Sequence, residues 1–190
     1  MTTTRIPAPD RRRLRIPAFL GLLLAGTLLS GCAIFHKSKP IPCPHIGILG
    51  DAANLTAFRP GGGHDITDVD YKAEVEGLSG TCSSADHGKA IDMNVSLRLI
   101  ASAGPALQGT KIGVPYFVSV IDHKSGQILA KADFISPINF PSGHRRAGVV
   151  EQVNEHIPLT RGRRGPDFDV LVGLQLTEAQ LDYNRSHTGE

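Results

Sequence analysis

The chain has 190 residues, with 20 Lys and Arg against 18 Asp and Glu and no Trp. Its basic charge is front-loaded: Arg5, Arg11, Arg12, Arg13 and Arg15 stand with Asp10 as the sole acid among them, and taking these six away leaves 15 basic against 17 acidic residues. That near-neutral, slightly acidic remainder argues against nucleic acid as a partner, and its length suits one domain with a largely aliphatic core.

Ala18 to Leu29 is an apolar run broken only by Thr27. A spanning helix needs about 20 apolar residues, so this shorter run fits the hydrophobic part of an export signal whose positive flank stays in the cytoplasm. It stops at Leu29-Ser30-Gly31-Cys32. This stretch resembles the lipobox of bacterial lipoproteins: a branched aliphatic residue, two small residues and a cysteine. The resemblance covers the leader alone, yet it implies a full itinerary. Residues 1–31 would be a cleaved signal peptide, Cys32 the acylated first residue of the mature chain, 32–42 a lipidated tether and 43–190 the domain. By the same likeness the protein would face the periplasm of a Gram-negative cell envelope. Ala33 in place of an acidic residue after the cysteine would favour the outer membrane over the outer leaflet of the inner one. Each buried CH₂ adds about 0.8 kcal/mol of membrane affinity, so two or three acyl chains anchor a protein that has no spanning segment of its own. The rival reading is an uncleaved helix or ordinary secretory signal, with Cys32 a spare thiol.

With Cys32 lipidated, Cys43 and Cys82 remain, and an oxidising compartment favours their pairing. Such a disulfide closes a loop of roughly 40 residues and contributes about 3 to 4 kcal/mol on the chain-entropy model. A metal site drawn from Cys43, His45, Cys82 and His87 competes with it but lacks zinc-finger spacing. Neither metal nor cofactor is expected.

Along the domain, Ile46, Ile48 and Leu49 suggest a short edge strand, whereas Asp51 to Phe58 fits a strand or a helical turn equally. Three consecutive glycines in Arg59 to His64 read as loop. Strict alternation then marks Tyr71, Ala73 and Val75, and again Ile91, Met93, Val95, Leu97 and Leu99, as the arms of a hairpin around a polar turn at Ser83 to Gly88. Tyr116 to Ile121 reads as a central strand. The turn Asp122 to Gly126 joins it to Ile128, Ala130, Ala132 and Phe134. Ser136 to Arg146 reads as loop because of Pro137, Pro141 and Gly143. Val149 to Ile157 fits helix or strand, and its β-rich neighbours favour strand. Arg161 to Pro166 is another loop, Phe168 to Leu176 a last strand, and Thr177-x-x-Gln180 the capping box of a short helix.

About seven strands with turn signals between them predict a mainly β domain, an antiparallel two-layer sandwich of immunoglobulin-like or fibronectin-like architecture. A lipocalin-like barrel is the alternative.

Candidate chemistry is sparse. Asp65, Asp68 and Asp70 offer hard oxygen ligands for Ca²⁺ but miss the EF-hand glycine and closing Glu, so an ordinary acidic turn competes. His144, Arg145 and Arg146 on one loop, with Arg161, Arg163 and Arg164 on another, would form an anion-binding patch if the loops converged; otherwise they are solvated charges. Gly77-Leu78-Ser79-Gly80 is no nucleophile elbow. Ser83-Ser84-Ala85-Asp86-His87 is too local for a triad, and Gly88-Lys89 lacks the rest of a phosphate loop. The expected function is therefore a non-enzymatic envelope lipoprotein that meets another envelope protein through an edge strand or loops. Two alternatives stand beside it: a binding module for a lipid head group or acidic glycan, through Arg145, Arg146, Arg163 and Arg164, and a hydrolase using His64, His87 or His144.

Overall fold

A computed structural model describes residues 41–160 and 162–187. The expected signal peptide (1–31), Cys32, residues 32–40 of the expected tether and Arg161 lie outside them. Eight strands and one helix follow in chain order: β1 (His45–Ile48), β2 (Asn54–Phe58), β3 (Val69–Ala85), β4 (Ala90–Ala103), β5 (Lys111–Asp122), β6 (Ile128–Asn139), β7 (Arg146–Pro158), β8 (Phe168–Leu174) and α1 (Glu178–Ser186). They form two four-stranded sheets, ordered β1-β8-β5-β6 and β2-β3-β4-β7. All pairings are antiparallel except β1 with β8.

Period-two alternation builds the core directly. Val95, Leu97 and Leu99 of β4 and Val118, Val170 and Val172 of the facing sheet are all fully buried, and the intervening residues of β4, such as Asp92 and Arg98, face water. The two alternating faces are buried against each other, so the architecture is a two-layer sandwich. The barrel alternative is overturned: β6 and β7 end their respective sheets and are not hydrogen-bonded as neighbours, so the cylinder never closes.

The eighth strand comes from the ambiguous stretch, which is both things in succession. Gly50–Ala52 is a 3-10 turn and Asn54–Phe58 a strand. Through this crossover the chain leaves the edge of one sheet and joins the edge of the other. Two other expectations need correcting. Ser83 and Ser84 are strand, not turn: β3 continues to Ala85 after a bulge at Val75/Gly77, and only Asp86–Gly88 reverses the chain. The polar residues Ser79, Thr81 and Ser83 lie opposite Ser96, Asn94 and Asp92 on the outer face of the sheet. A solvated strand face is as polar as a turn, and composition alone misassigned it. Likewise β6 runs on to Asn139 through Pro137. Proline is tolerated there because β6 is an edge strand.

The capping box forms as the spacing predicts. Gln180 N–H donates to the Thr177 hydroxyl at 3.3 Å, and Thr177 N–H to the Gln180 side-chain oxygen at 2.9 Å. Cys43 and Cys82 are bonded through their sulfurs, with Cα atoms 5.8 Å apart. The segment before β1 is thereby stapled to β3 in the opposite sheet.

Candidate functional site

A sandwich has four edge strands, and each unpaired edge is a template for another chain unless something blunts it. β1 is blunted by brevity, with four residues. β2 is covered by α1: Asn184 donates to the backbone carbonyls of Asn54 (2.7 Å) and Asp51 (3.2 Å), and Tyr183 packs edge-on against Phe58. β7 carries two carboxylates, Glu151 and Glu155, at half-buried positions that alternate with its exposed residues. Ser136 of β6 donates its hydroxyl to Glu151, and burial pushes the Glu155 carboxyl above its ordinary value. Inward charges of this kind discourage strand addition.

β6 differs from the other three. It leaves Ile128, Leu129 and Ile135 at 61, 46 and 74% exposure, and no strand pairs with its outer side among the described residues. Three features restrain it: Lys131, which lies 4.7 Å over the Phe117 ring and pairs with Asp133, a bulge that leaves Leu129 without a partner on β5, and Pro137 near its end. Between β6 and β7 the sheets part around a cleft of about 250 Å³. Leu129, Ala130, Val120, Ile157 and Phe168 supply its apolar lining, and Glu155 a carboxyl. An extended segment laid on β6 would find backbone partners along the edge and a pocket for one apolar side chain beside it.

The four arginines singled out by sequence do not meet. Arg145 and Arg146 stand at the start of the 13-residue β7 and Arg163 and Arg164 beyond its end, so the length of a strand that spans roughly 40 Å separates the pairs. Most are engaged locally. Arg145 donates to the carbonyls of Ala103 and Gly104, and Arg146 pairs with Glu74 at 2.7 Å. Arg163 pairs with Asp122 at 2.7 Å, donates to the Asp167 carbonyl and lies over the Phe168 ring. Asp122 is held down to about 2 by the Ser125 N–H and hydroxyl, with Arg163 adding to the effect. The Arg164 backbone N–H is capped by Asp167, and its side chain is exposed.

The three aspartates after the glycine loop are also dispersed. Asp65 accepts from Thr67 N–H; Asp68, buried, pairs with Arg59 at 2.6 Å and accepts from Gly63 N–H. His64 packs against Phe58, and His144 bonds the Ser142 carbonyl. Cross-strand register does align Ser83, Asp92 and His156 in one row, with His156 bonded to Asp92 at 2.6 Å, which raises the His156 pKa. In that row the carboxylate separates serine from histidine by two strand spacings, about 9 to 10 Å, so the base cannot reach the hydroxyl.

Among the described residues, no helix is long and apolar enough to cross a membrane. In comparisons with family models, curated proteins and solved structures, nothing matches the chain. What the geometry defines is a class: a disulfide-stapled β-sandwich whose β6 edge is open and carries exposed aliphatic side chains. Sequence reasoning missed both β6 as that edge and a second cluster, His45, His123 and Asp169, because each depends on which strands become neighbours.

Proposed function

We propose that the protein is a lipoprotein of the bacterial cell envelope, anchored by acylated Cys32, whose sandwich acts without catalysis by recruiting another envelope protein as an added strand on β6. The anchor rests on the basic flank, short apolar run and Leu29-Ser30-Gly31-Cys32. The recruiting role rests on one observation above the others: β1 is short, β2 is covered and β7 carries half-buried carboxylates with a single exposed large aliphatic, Val150, whereas β6 bears Ile128, Leu129 and Ile135 in the open. The anionic-ligand reading is weaker, because its four arginines fall into two distant pairs. A photo-crosslinking residue at Ile135, activated in intact cells, is expected to capture a defined protein adduct that the same probe at exposed Ile66 does not. Adducts of equal yield at both positions, or none at Ile135, overturn the edge reading. Intact-mass measurement of the membrane-extracted chain tests the anchor: a mature chain starting at Cys32 with added acyl mass is expected, and retention of Met1 overturns it.

A further inference from the structure

His45, His123 and Asp169 come from three separate elements: β1, the turn after β5, and β8. Sheet order makes them neighbours, since β8 lies between β1 and β5 and Asp169 is in register with His45 on one side and Ile121 on the other. Their nitrogen and oxygen atoms all lie within 4.8 Å of one another. His123 Nδ1 is 2.8 Å from Asp169 Oδ1, and the His45 and His123 rings stand 5.1 Å apart at a tilt of 38°. Among the described residues the ring contact with His123 is the only interaction of the His45 side chain, while its backbone belongs to the β1–β8 ladder.

We propose that these three side chains bind one divalent transition-metal cation of the zinc type, through two imidazoles and a carboxylate, with a remaining coordination position open to solvent. Two nitrogens and one oxygen match the donor preference of such ions, whereas calcium and magnesium prefer all-oxygen sets. A tetrahedral zinc with bonds of about 2.0 to 2.2 Å sets its ligand atoms roughly 3.3 Å apart. The widest spacing of 4.8 Å therefore has to shrink by about 1.5 Å, a distance that rotation of the two exposed imidazole rings can cover.

The framework around the cluster is stiff, which favours binding because little ordering remains to be done. Two residues before His45, the Cys43–Cys82 bond fixes the approach to β1. On the other flank the same segment packs so closely on Gly165 that any β-carbon there would overlap the Pro42 carbonyl. The His123 backbone N–H donates to the Asp167 carbonyl at 3.1 Å, and Asp169 sits on a strand paired on both sides. His123 also borders an open recess of about 360 Å³ on the side of Asp122 and Asp167. This inference is independent of the role given to β6.

Calorimetric titration of the full-length, disulfide-intact chain with Zn²⁺ tests the site. One ion per chain is expected, with His45→Ala, His123→Ala and Asp169→Asn each weakening binding at least tenfold and His156→Ala leaving it unchanged. Folding is monitored alongside: the metal-free melting temperature of His45→Ala should equal that of the wild type, while the rise on adding zinc disappears. The site is refuted by absence of zinc uptake, by wild-type affinity in the His45 and His123 variants, or by loss of binding in His156→Ala instead.

Discussion

The edges β2 and β6 face the same physical problem and meet it in opposite ways. At β2, a helix signalled by a capping box folds back, and Asn184 occupies carbonyls that a foreign strand would otherwise engage. At β6 nothing among the described residues folds back, and the exposed side chains include the branched aliphatics Ile128, Leu129 and Ile135 beside Lys131 and Asp133. One edge is covered and another is left apolar and open within a single sandwich; on the function proposed above, this would separate protection from recruitment. An edge without a function would be expected to carry the devices seen on β7 and β2, and β6 carries few of them.

Each edge offers a way to break or sharpen that contrast. The largest effect is expected beside β1: replacing Cys43 and Cys82 together by serine should remove about 3 to 4 kcal/mol and lower the melting temperature by roughly 10 °C, read by thermal denaturation against the wild type. At β2, Thr177→Ala removes the helix cap and should cost about 1 kcal/mol. If α1 is a cover, this variant also gains hydrogen exchange at the β2 amides, whereas unchanged exchange would mean the helix shields nothing. At β6, the double change Ile128→Lys and Ile135→Lys should shift stability by no more than about 0.5 kcal/mol, because both side chains are largely exposed, yet abolish the crosslinked adduct. A large destabilisation would show instead that these residues support the fold.

The smallest effect belongs to β7. Burial raises the folded-state pKa of Glu155 above its unfolded value, so the carboxyl is neutral without penalty at low pH and becomes costly as pH rises through that raised value. Glu155→Gln should therefore melt slightly higher than the wild type at pH 7, by about a degree once solvent screening is discounted. The two should coincide at pH 4. A variant that melts lower at pH 7 would mean that the ionised carboxylate supports the edge.

How far these features could be read in advance depended on the range over which the chain must act. Alternation in Ile91 to Leu99 is local, and β4 is where it was expected; the capping box at Thr177 and Gln180 is likewise local. Cysteine parity led to Cys43 and Cys82 because few thiols leave few pairings. The second half of β3 was misread because Thr81 and Ser83 face water, and a solvated strand and a turn favour the same residues. The alternation of Ala130, Ala132 and Phe134 was visible, but their strand becomes an edge only because β8, from the far end of the sequence, takes the place on the other side of β5. The same non-local pairing of β1 with β8 assembles His45 and Asp169. No spacing rule links residues so far apart.

The Cys43–Cys82 bond also sets how the domain answers a mechanical pull. Tension arriving from the N-terminal side would, without it, fall on β1, whose four residues hold β8 by a short parallel ladder that could peel away one rung at a time. The covalent link diverts that load into the 17-residue β3, which is laced to β4 along nearly its whole length. If the residues before Cys43 serve as the proposed tether, a pull on them would be carried by a long ladder in place of a short one.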